Sequence, residues 1–182
     1  MYALKESAAI RHLRAGRVIV HPTEGVFGLA CFAFDQDACR RVSELKRRPK
    51  NKRFIVVAAH FAQLAHALDI TYDEFVRLER KWPNPETWIL PAARVAPKWL
   101  RSDSDTIAVR ITRHEQFARL CGATGPLLST SANLPNRPAA LSLLQARHYF
   151  GAKVDAYVSG RLTNPGKPSV IRDVWTGNII RG

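Results

Sequence analysis

Short runs of β-branched residues alternate with helical segments along the whole chain, and this alternation restricts the possible folds more than any other feature. Apolar spacing predicts helices over residues 4–15, 36–47, 60–68, 72–81, 113–121 and 139–150. Strands are predicted over residues 17–21, 54–59, 87–90, 106–112, 126–131, 154–158, 169–172 and 178–181. The pattern therefore favours an α/β fold, in which helices cover a mixed β-sheet.

The length and the even distribution of apolar residues favour a single domain. The chain has 182 residues, of which 46% are hydrophobic, and one domain commonly holds about 100–200 residues. No repeat or low-complexity segment divides the sequence, and the clearest loop is residues 160–168. We therefore expect residues 1–182 to form one domain.

Apolar runs, cysteines and histidines exclude several classes of protein. No apolar run approaches the roughly 20 residues that span a bilayer, and the N-terminal segment predicts an amphipathic helix instead of a secretory signal. Cys31, Cys39 and Cys121 form no CxxC pair, so we expect reduced core residues. The six histidines show no ligand spacing, and no metal site is predicted. We expect a soluble, cytoplasmic protein without a membrane partner.

The charge balance points to anionic ligands. The chain carries 28 Lys and Arg against 15 Asp and Glu, a formal net charge of +13, and 20 of these cations are Arg. The planar guanidinium fork matches phosphate and carboxylate groups. Nucleotides and nucleic acids are therefore favoured partners, although a generic basic surface would give the same net charge.

The first of four polar segments is HPTEGVFGLA, residues 21–30. Thr23 and Glu24 follow a predicted strand and a proline, and Gly25 and Gly28 permit close approach of a ligand to the backbone. The segment is consistent with a ligand-binding loop. The alternative is an ordinary strand-to-helix turn in which Thr23 is the N-cap.

The second polar segment is LKRRPKNKR, residues 45–53. Arg48 precedes Pro49, which disfavours helical backbone there. If the segment is extended, Lys46 and Arg48 point to the same side and form a clamp for phosphate or carboxylate. The alternatives are a solvated basic loop or an RNA-binding patch.

The third polar segment, TIAVR at residues 106–110, alternates with a period of two. Thr106, Ala108 and Arg110 are predicted on one face of a strand. An arginine in a core strand needs an anionic partner. That partner is either a ligand or a structural carboxylate.

The fourth polar segment, PLLSTSAN at residues 126–133, ends a predicted strand with hydroxyl and amide side chains. Ser129 and Ser131 are expected to share a face, and together with Asn133 they can hold phosphate oxygens. The alternative is a cap for a following helix.

Taken together, these segments resemble the YrdC-like family of threonylcarbamoyl-AMP synthases in order and spacing. The matching pieces are HPTEGVFGLA, ELKRRPKNK, WPNPETWILPA, TIAVRIT, PLLSTSANLP and NPGKPSVIRD with IIRG. The resemblance implies a single domain with a twisted mixed sheet, flanking helices and a basic concave surface. His21 and Phe27 depart from the family pattern, because Tyr is common at both positions.

The resemblance implies a nucleotidyltransferase that makes threonylcarbamoyl-AMP and pyrophosphate from L-threonine, bicarbonate and ATP. tRNA-modification partner proteins would then transfer the threonylcarbamoyl group to adenosine 37 of tRNA. ATP is implied as a substrate accompanied by Mg²⁺, without a tightly bound cofactor. Direct binding of tRNA or double-stranded RNA is also implied as a possibility.

The resemblance also implies roles for individual residues. The catalytic pair is Lys46 and Arg48. The expected ATP contacts are Arg48, Lys52, Thr106, Ser131, Asn133 and Arg181. The expected threonine contacts are Thr23, Lys46, Arg110, Ser129 and Ser169.

A different class of protein also fits part of the sequence. A non-catalytic RNA-binding protein, such as a ribosome-maturation factor, would explain the net charge of +13 and would use residues 46–53 as its footprint. It would not explain why hydroxyl and amide side chains cluster in PLLSTSAN.

Overall fold

Nine strands form one mixed sheet in the part of the chain that the computed structural model describes, which is residues 5–47, 54–81, 86–166 and 169–181 without the side chain of Arg181. The strands are β1 Ile19–Pro22, β2 Phe27–Phe32, β3 Ile55–Ala58, β4 Thr87–Pro91, β5 Thr106–Ile111, β6 Leu127–Ser131, β7 Ala156–Tyr157, β8 Ile171–Asp173 and β9 Ile179–Arg181. The helices are α1 Glu6–Arg14, α2 Gln36–Leu45, α3 Tyr72–Lys81, α4 Glu115–Thr124 and α5 Leu143–Phe150.

The strand order in the sheet is β7-β1-β2-β6-β3-β5-β4-β8-β9. Three pairs are parallel, β1 with β7, β3 with β5 and β4 with β8, and the other neighbours are antiparallel. The predicted α/β class with a mixed sheet is therefore confirmed. The order brings β6, which carries the STSAN segment, between β2 and β3 near the middle of the sheet.

Two apolar layers hold the helices on opposite faces of the sheet. On one face, α1 and α4 pack through Leu13, Phe117 and Leu120. On the other face, a larger cluster joins α2, α3 and α5 through Val42, Phe75 and Phe150. Burial of these side chains contributes about 1.5–3 kcal/mol each.

The sequence predictions fail at two elements. Residues 60–68 form two short 3₁₀ turns, Phe61–Gln63 and Ala65–Ala67, instead of the predicted helix. The turn at Phe61–Gln63 is held by the Gln63 side chain, which accepts from Ala59 N and donates to Cys121 O. Strand β2 was not predicted, since almost all its residues are buried on both faces and it therefore lacks polar alternation.

The three cysteines are buried and reduced, as predicted. Within the described residues, no helix is both long enough and apolar enough to cross a bilayer.

Helix α2 begins at a side-chain cap that fixes its position on the sheet. Asp35 has extended backbone, and its Oδ1 accepts a hydrogen bond from Ala38 N at 3.0 Å. Such a cap satisfies one of the donors that a helix leaves unpaired at its first turn. The far end of the same helix carries Lys46, so the cap helps to place a predicted site residue.

We expect Asp35→Ala to lower the free energy of unfolding by about 1 kcal/mol, because the Ala38 N–H loses its acceptor. Asp35→Asn is the matched control and should stay within about 0.5 kcal/mol of the parent, since Asn is an equally good cap. Urea denaturation followed by circular dichroism measures both. Equal losses in the two variants would show that the cap does not act through this hydrogen bond.

Candidate active site

The register of the central strands brings the predicted hydroxyl residues and Arg110 onto one face of the sheet. Ser131 pairs with Gly28, and Ser129 pairs with both Ala30 and Ile55, which in turn pairs with Ala108. Residues paired across strands share a face. Thr106 and Arg110 lie on the same face as Ala108, whereas Ile107 and Val109 are buried in the opposite core cluster. The predicted alternation of β5 is confirmed.

Lys46 is a buried cation that ties the end of α2 to the end of β6. Its Nζ donates to Ser131 O at 2.7 Å, to Asn133 O at 2.7 Å and to Asn133 Oδ1 at 2.6 Å. Ser131 Oγ donates to the same Oδ1 at 2.7 Å. Asn133 Nδ2 donates to Arg137 O at 2.7 Å. These hydrogen bonds join Lys46, Ser131 and Asn133 into one network.

The condition set for the second polar segment is not met at Lys46, and the alternative offered for the fourth polar segment is wrong. Lys46 is helical, with φ −80° and ψ −10°, and Arg47 has φ +46°, so the backbone is not extended there. Helical bonding continues through Lys46 and Arg47, whose N–H groups donate to Val42 O and Glu44 O. None of the described helices is capped by PLLSTSAN, because the next helix, α5, is capped by Ser142. Arg48 and Lys52 lie outside the described residues, so the Lys46–Arg48 clamp stays a prediction.

Arg110 has a structural carboxylate as its partner. Its side chain is 8% exposed, and Nη2 lies 3.4 Å from Glu24 Oε2. Thr112 Oγ1 donates to Glu24 Oε1 at 2.8 Å. Among the described residues, however, neither Arg110 Nε nor Glu24 Oε2 makes a hydrogen bond. The ion pair is therefore loose, and both groups keep capacity for a ligand.

The ionisation of Glu24 follows from these neighbours. Burial acts to raise the pKa of the Glu24 carboxyl, but the Arg110 charge and the Thr112 hydrogen bond outweigh it and lower the pKa. Glu24 therefore stays anionic at neutral pH. The sequence did not predict a role for Glu24 beyond its position next to Thr23, since no local pattern indicates that it pairs with Arg110.

The remaining predicted residues are distributed around this centre. Thr23 is buried in the turn between β1 and β2, where its Oγ1 donates to Val26 O at 2.7 Å. The turn joins two strands, so the alternative of a helix N-cap at Thr23 is wrong. Ser169 Oγ lies 3.4 Å from Thr87 Oγ1 at the start of β4.

Thr106 lies at the far end of β5 from Arg110, about 13 Å away by the rise of a strand. Its Oγ1 is 2.7 Å from Ser102 Oγ. The site is thus an elongated polar strip along one sheet face. Arg181 belongs to β9, but its side chain lies outside the described residues.

His21 is a buried polar residue whose environment was not foreseen from the sequence. It is fully buried, and its ring centroid lies 4.1 Å from that of Phe117. Nδ1 donates to Pro22 O at 2.9 Å. Burial lowers the pKa of His21 to about 3, so the ring is neutral. The sequence feature that could have predicted this environment is a histidine within an otherwise apolar predicted strand.

These features define an α/β protein with hydroxyl, amide and cationic groups on one sheet face, a set suited to phosphate and carboxylate ligands. The chain belongs to the Sua5/YciO/YrdC family, since the family model with the description “Telomere recombination” matches residues 11–182.

Curated relatives match almost the full length of the chain. A protein of Pseudomonas paraeruginosa named threonylcarbamoyl-AMP synthase is 43% identical over 180 residues, which cover 98% of this chain and 97% of the relative. A protein of Stutzerimonas stutzeri with the same name is 43% identical over 172 residues, covering 94% and 93%.

Solved structures share the fold. P. abyssi Sua5 complexed with L-threonine superposes with a TM-score of 0.84 at 30% identity. The match covers 94% of this chain but 52% of that one, so the chain spans about half the length of P. abyssi Sua5. E. coli YciO has a TM-score of 0.79 at 24% identity, with coverage of 92% and 82%, and supports the fold alone.

The neutral His21 predicts a pH dependence of stability. Its pKa is about 3 in the folded chain and 6.5 ordinarily, so below pH 6.5 the unfolded state binds a proton that the folded state does not. Stability should therefore fall by about 1.4 kcal/mol per pH unit, or about 2 kcal/mol between pH 6.5 and 5. His21→Phe removes this contribution.

Urea unfolding at pH 7 and pH 5 tests this prediction. The decrease in the free energy of unfolding from pH 7 to pH 5 should be about 2 kcal/mol smaller in His21→Phe than in the parent. The other histidines are common to both proteins and cancel in the comparison. Identical losses in the two proteins would mean that His21 is protonated when folded.

Proposed function

We propose that the chain is a nucleotidyltransferase that forms threonylcarbamoyl-AMP and pyrophosphate from L-threonine, bicarbonate and ATP. The observation that carries the proposal is the 43% identity, over 98% of the chain, to a protein named threonylcarbamoyl-AMP synthase. The polar strip supports it, because phosphate and carboxylate groups both require cationic and hydroxyl partners.

In the proposed reaction, the ammonium group of threonine first loses one proton to water, and the neutral amine then attacks the carbon of bicarbonate and forms a carbamate with loss of water. A carbamate oxygen attacks the α-phosphorus of ATP, and the bond to the β-phosphate oxygen breaks as pyrophosphate leaves. Catalysis of this kind depends on positioning and on neutralising developing negative charge. A strip of fixed donors and cations suits both requirements.

The loose ion pair of Arg110 supports its assignment to threonine. A guanidinium with an unused Nε–H can bind the substrate carboxylate, while Glu24 Oε2, which makes no hydrogen bond among the described residues, can receive the substrate ammonium. Thr23, Ser129 and Ser169 complete the proposed threonine contacts. The nucleotide would extend towards the other proposed contacts, which are Thr106, Ser131, Asn133, Arg48, Lys52 and Arg181.

Lys46 supports the reaction in a different way. Three protein oxygens within 2.7 Å already surround its Nζ, which matches the three N–H donors of an ammonium group. We infer that it acts through its charge and by fixing β6, or by exchanging Asn133 Oδ1 for a ligand oxygen. Mg²⁺ would arrive with ATP, held mainly by phosphate oxygens and water.

The product would be passed to tRNA-modification proteins that attach the threonylcarbamoyl group to adenosine 37 of tRNA in the cytoplasm. The net charge of +13 supports a contact with tRNA itself. We do not need a separate RNA-binding function to account for this charge, because nucleotide and RNA phosphates are attracted by the same basic residues.

Pyrophosphate release from ATP tests the proposed reaction. We expect release that requires L-threonine and bicarbonate together, because only the carbamate supplies the attacking oxygen. Omission of either one, and replacement of L-threonine by glycine, are the controls. Absence of release in every combination, together with tight and salt-sensitive RNA binding, would favour the RNA-binding alternative.

The contribution of Lys46 is tested by Lys46→Ala. Loss of a fixed charge at a phosphoryl-transfer site typically costs about 2–4 kcal/mol, so kcat/KM should fall roughly 30- to 1,000-fold. Arg40→Ala on the same helix is the matched control, since Arg40 is exposed and pairs only with the neighbouring Asp37 among the contacts described. Near-normal turnover in Lys46→Ala would remove this residue from the mechanism.

A further inference from the structure

The imidazole of His21 presents a bare hydrogen-bond acceptor to the candidate site. Because Nδ1 donates to Pro22 O, the proton of the neutral ring resides on Nδ1, and Nε2 carries a lone pair. Nε2 is buried, and no group among the described residues hydrogen-bonds to it. A buried acceptor without a partner is costly, which makes it a feature that needs an explanation.

The absence of a side chain at Gly28 leaves a narrow gap beside this nitrogen. Gly28 pairs with His21 on one side and with Ser131 on the other. A Cβ atom at Gly28 would lie 3.4 Å from His21 Nε2, 3.4 Å from Ser129 Oγ and 3.2 Å from Thr130 O. His21 Nε2 and Ser129 Oγ therefore border the same small space on the sheet face, and any larger residue at position 28 would fill it.

Two other buried groups of the candidate site that make no hydrogen bond among the described residues indicate what fits there. Within the part of the chain described, Arg110 Nε and Glu24 Oε2 make no hydrogen bond, although Oε2 lies 3.4 Å from Arg110 Nη2. Their charges suit a zwitterion, whose carboxylate would face Arg110 and whose ammonium would face Glu24. The phosphates of ATP offer only acceptors at neutral pH, and they would be repelled by the His21 lone pair.

We infer that His21 is a specificity-determining residue that accepts, through Nε2, a hydrogen bond from an N–H or O–H donor of the bound amino acid. The inference rests on the proposed function and names a residue that touches its amino-acid substrate. Because the ring stays neutral, Nε2 accepts the hydrogen bond without removing the proton from the donor. Gly28 is the positioning residue that keeps the acceptor accessible.

Isothermal titration calorimetry with L-threonine and, separately, with ATP tests the inference in the full chain. His21→Phe keeps the ring and removes the acceptor, and Gly28→Ala keeps His21 and fills the space. We expect the Kd for threonine to rise about tenfold in each variant, the size of one lost hydrogen bond. The Kd for ATP should be unchanged. His148→Phe, which alters an exposed histidine on α5, is the control.

Two further arms identify the donor and exclude a merely structural effect. If the threonine hydroxyl is the donor, His21→Phe should not weaken binding of 2-aminobutyrate, which lacks that hydroxyl. If the amine is the donor, the losses for the two ligands should be equal. In protein labelled with ¹⁵N-histidine, the Nε2 resonance of His21 should move on addition of threonine and stay in place with ATP.

The possible results separate the two hypotheses. If the parent protein does not bind threonine, both the proposed function and this inference are overturned. If the parent binds threonine, while both variants bind it equally well and the Nε2 resonance does not move, the inference alone is wrong. If His21→Phe fails to fold, weaker threonine binding in Gly28→Ala together with movement of the Nε2 resonance in the parent supports the inference, and an unmoved resonance overturns it.

Discussion

The ammonium group of Lys46 is the interaction on which the arrangement of the candidate site depends. It gathers backbone and side-chain oxygens of Ser131 and Asn133 within 2.7 Å, at the point where β6 ends. A buried cation must keep such acceptors, because its hydration has been lost. The end of β6 is therefore fixed relative to α2, and the hydroxyl groups of the polar strip are held with it.

Arg110, the second buried cation of the site, differs from Lys46 in how fully the protein uses its hydrogen-bond donors. The donors of Lys46 are directed at protein oxygens, whereas Arg110 has an ion-pair partner at 3.4 Å and an Nε–H that no described residue accepts. A cation whose donors all bind protein oxygens stabilises the fold, whereas a cation with an unused donor can bind a ligand. Such fixed, partly unused donors are the usual basis of preorganised electrostatic stabilisation.

Local periodicity predicted the elements whose two faces differ. The predicted helix over 72–81 matches α3, Tyr72–Lys81, and the alternation of 106–112 located β5. It failed at β2, which is buried on both sides, and at the 3₁₀ turns after β3. The site was only partly predictable for a related reason. Glu24 and Thr112 are 88 positions apart, and no sequence spacing reveals that they meet at Arg110.

The pairing of β1 with β7 also constrains how the chain can fold. Val18 N donates to Asp155 across 137 positions, and Arg41 binds the same carboxylate. Contacts of such long range are formed slowly, because a large loop must close before they stabilise anything. During synthesis, β1 can pair with β2 at once, but its other edge would remain unpaired until about 140 further residues had emerged. The order of strands that assembles the polar strip thus also sets a late step in folding, during which intermediates are prone to aggregate.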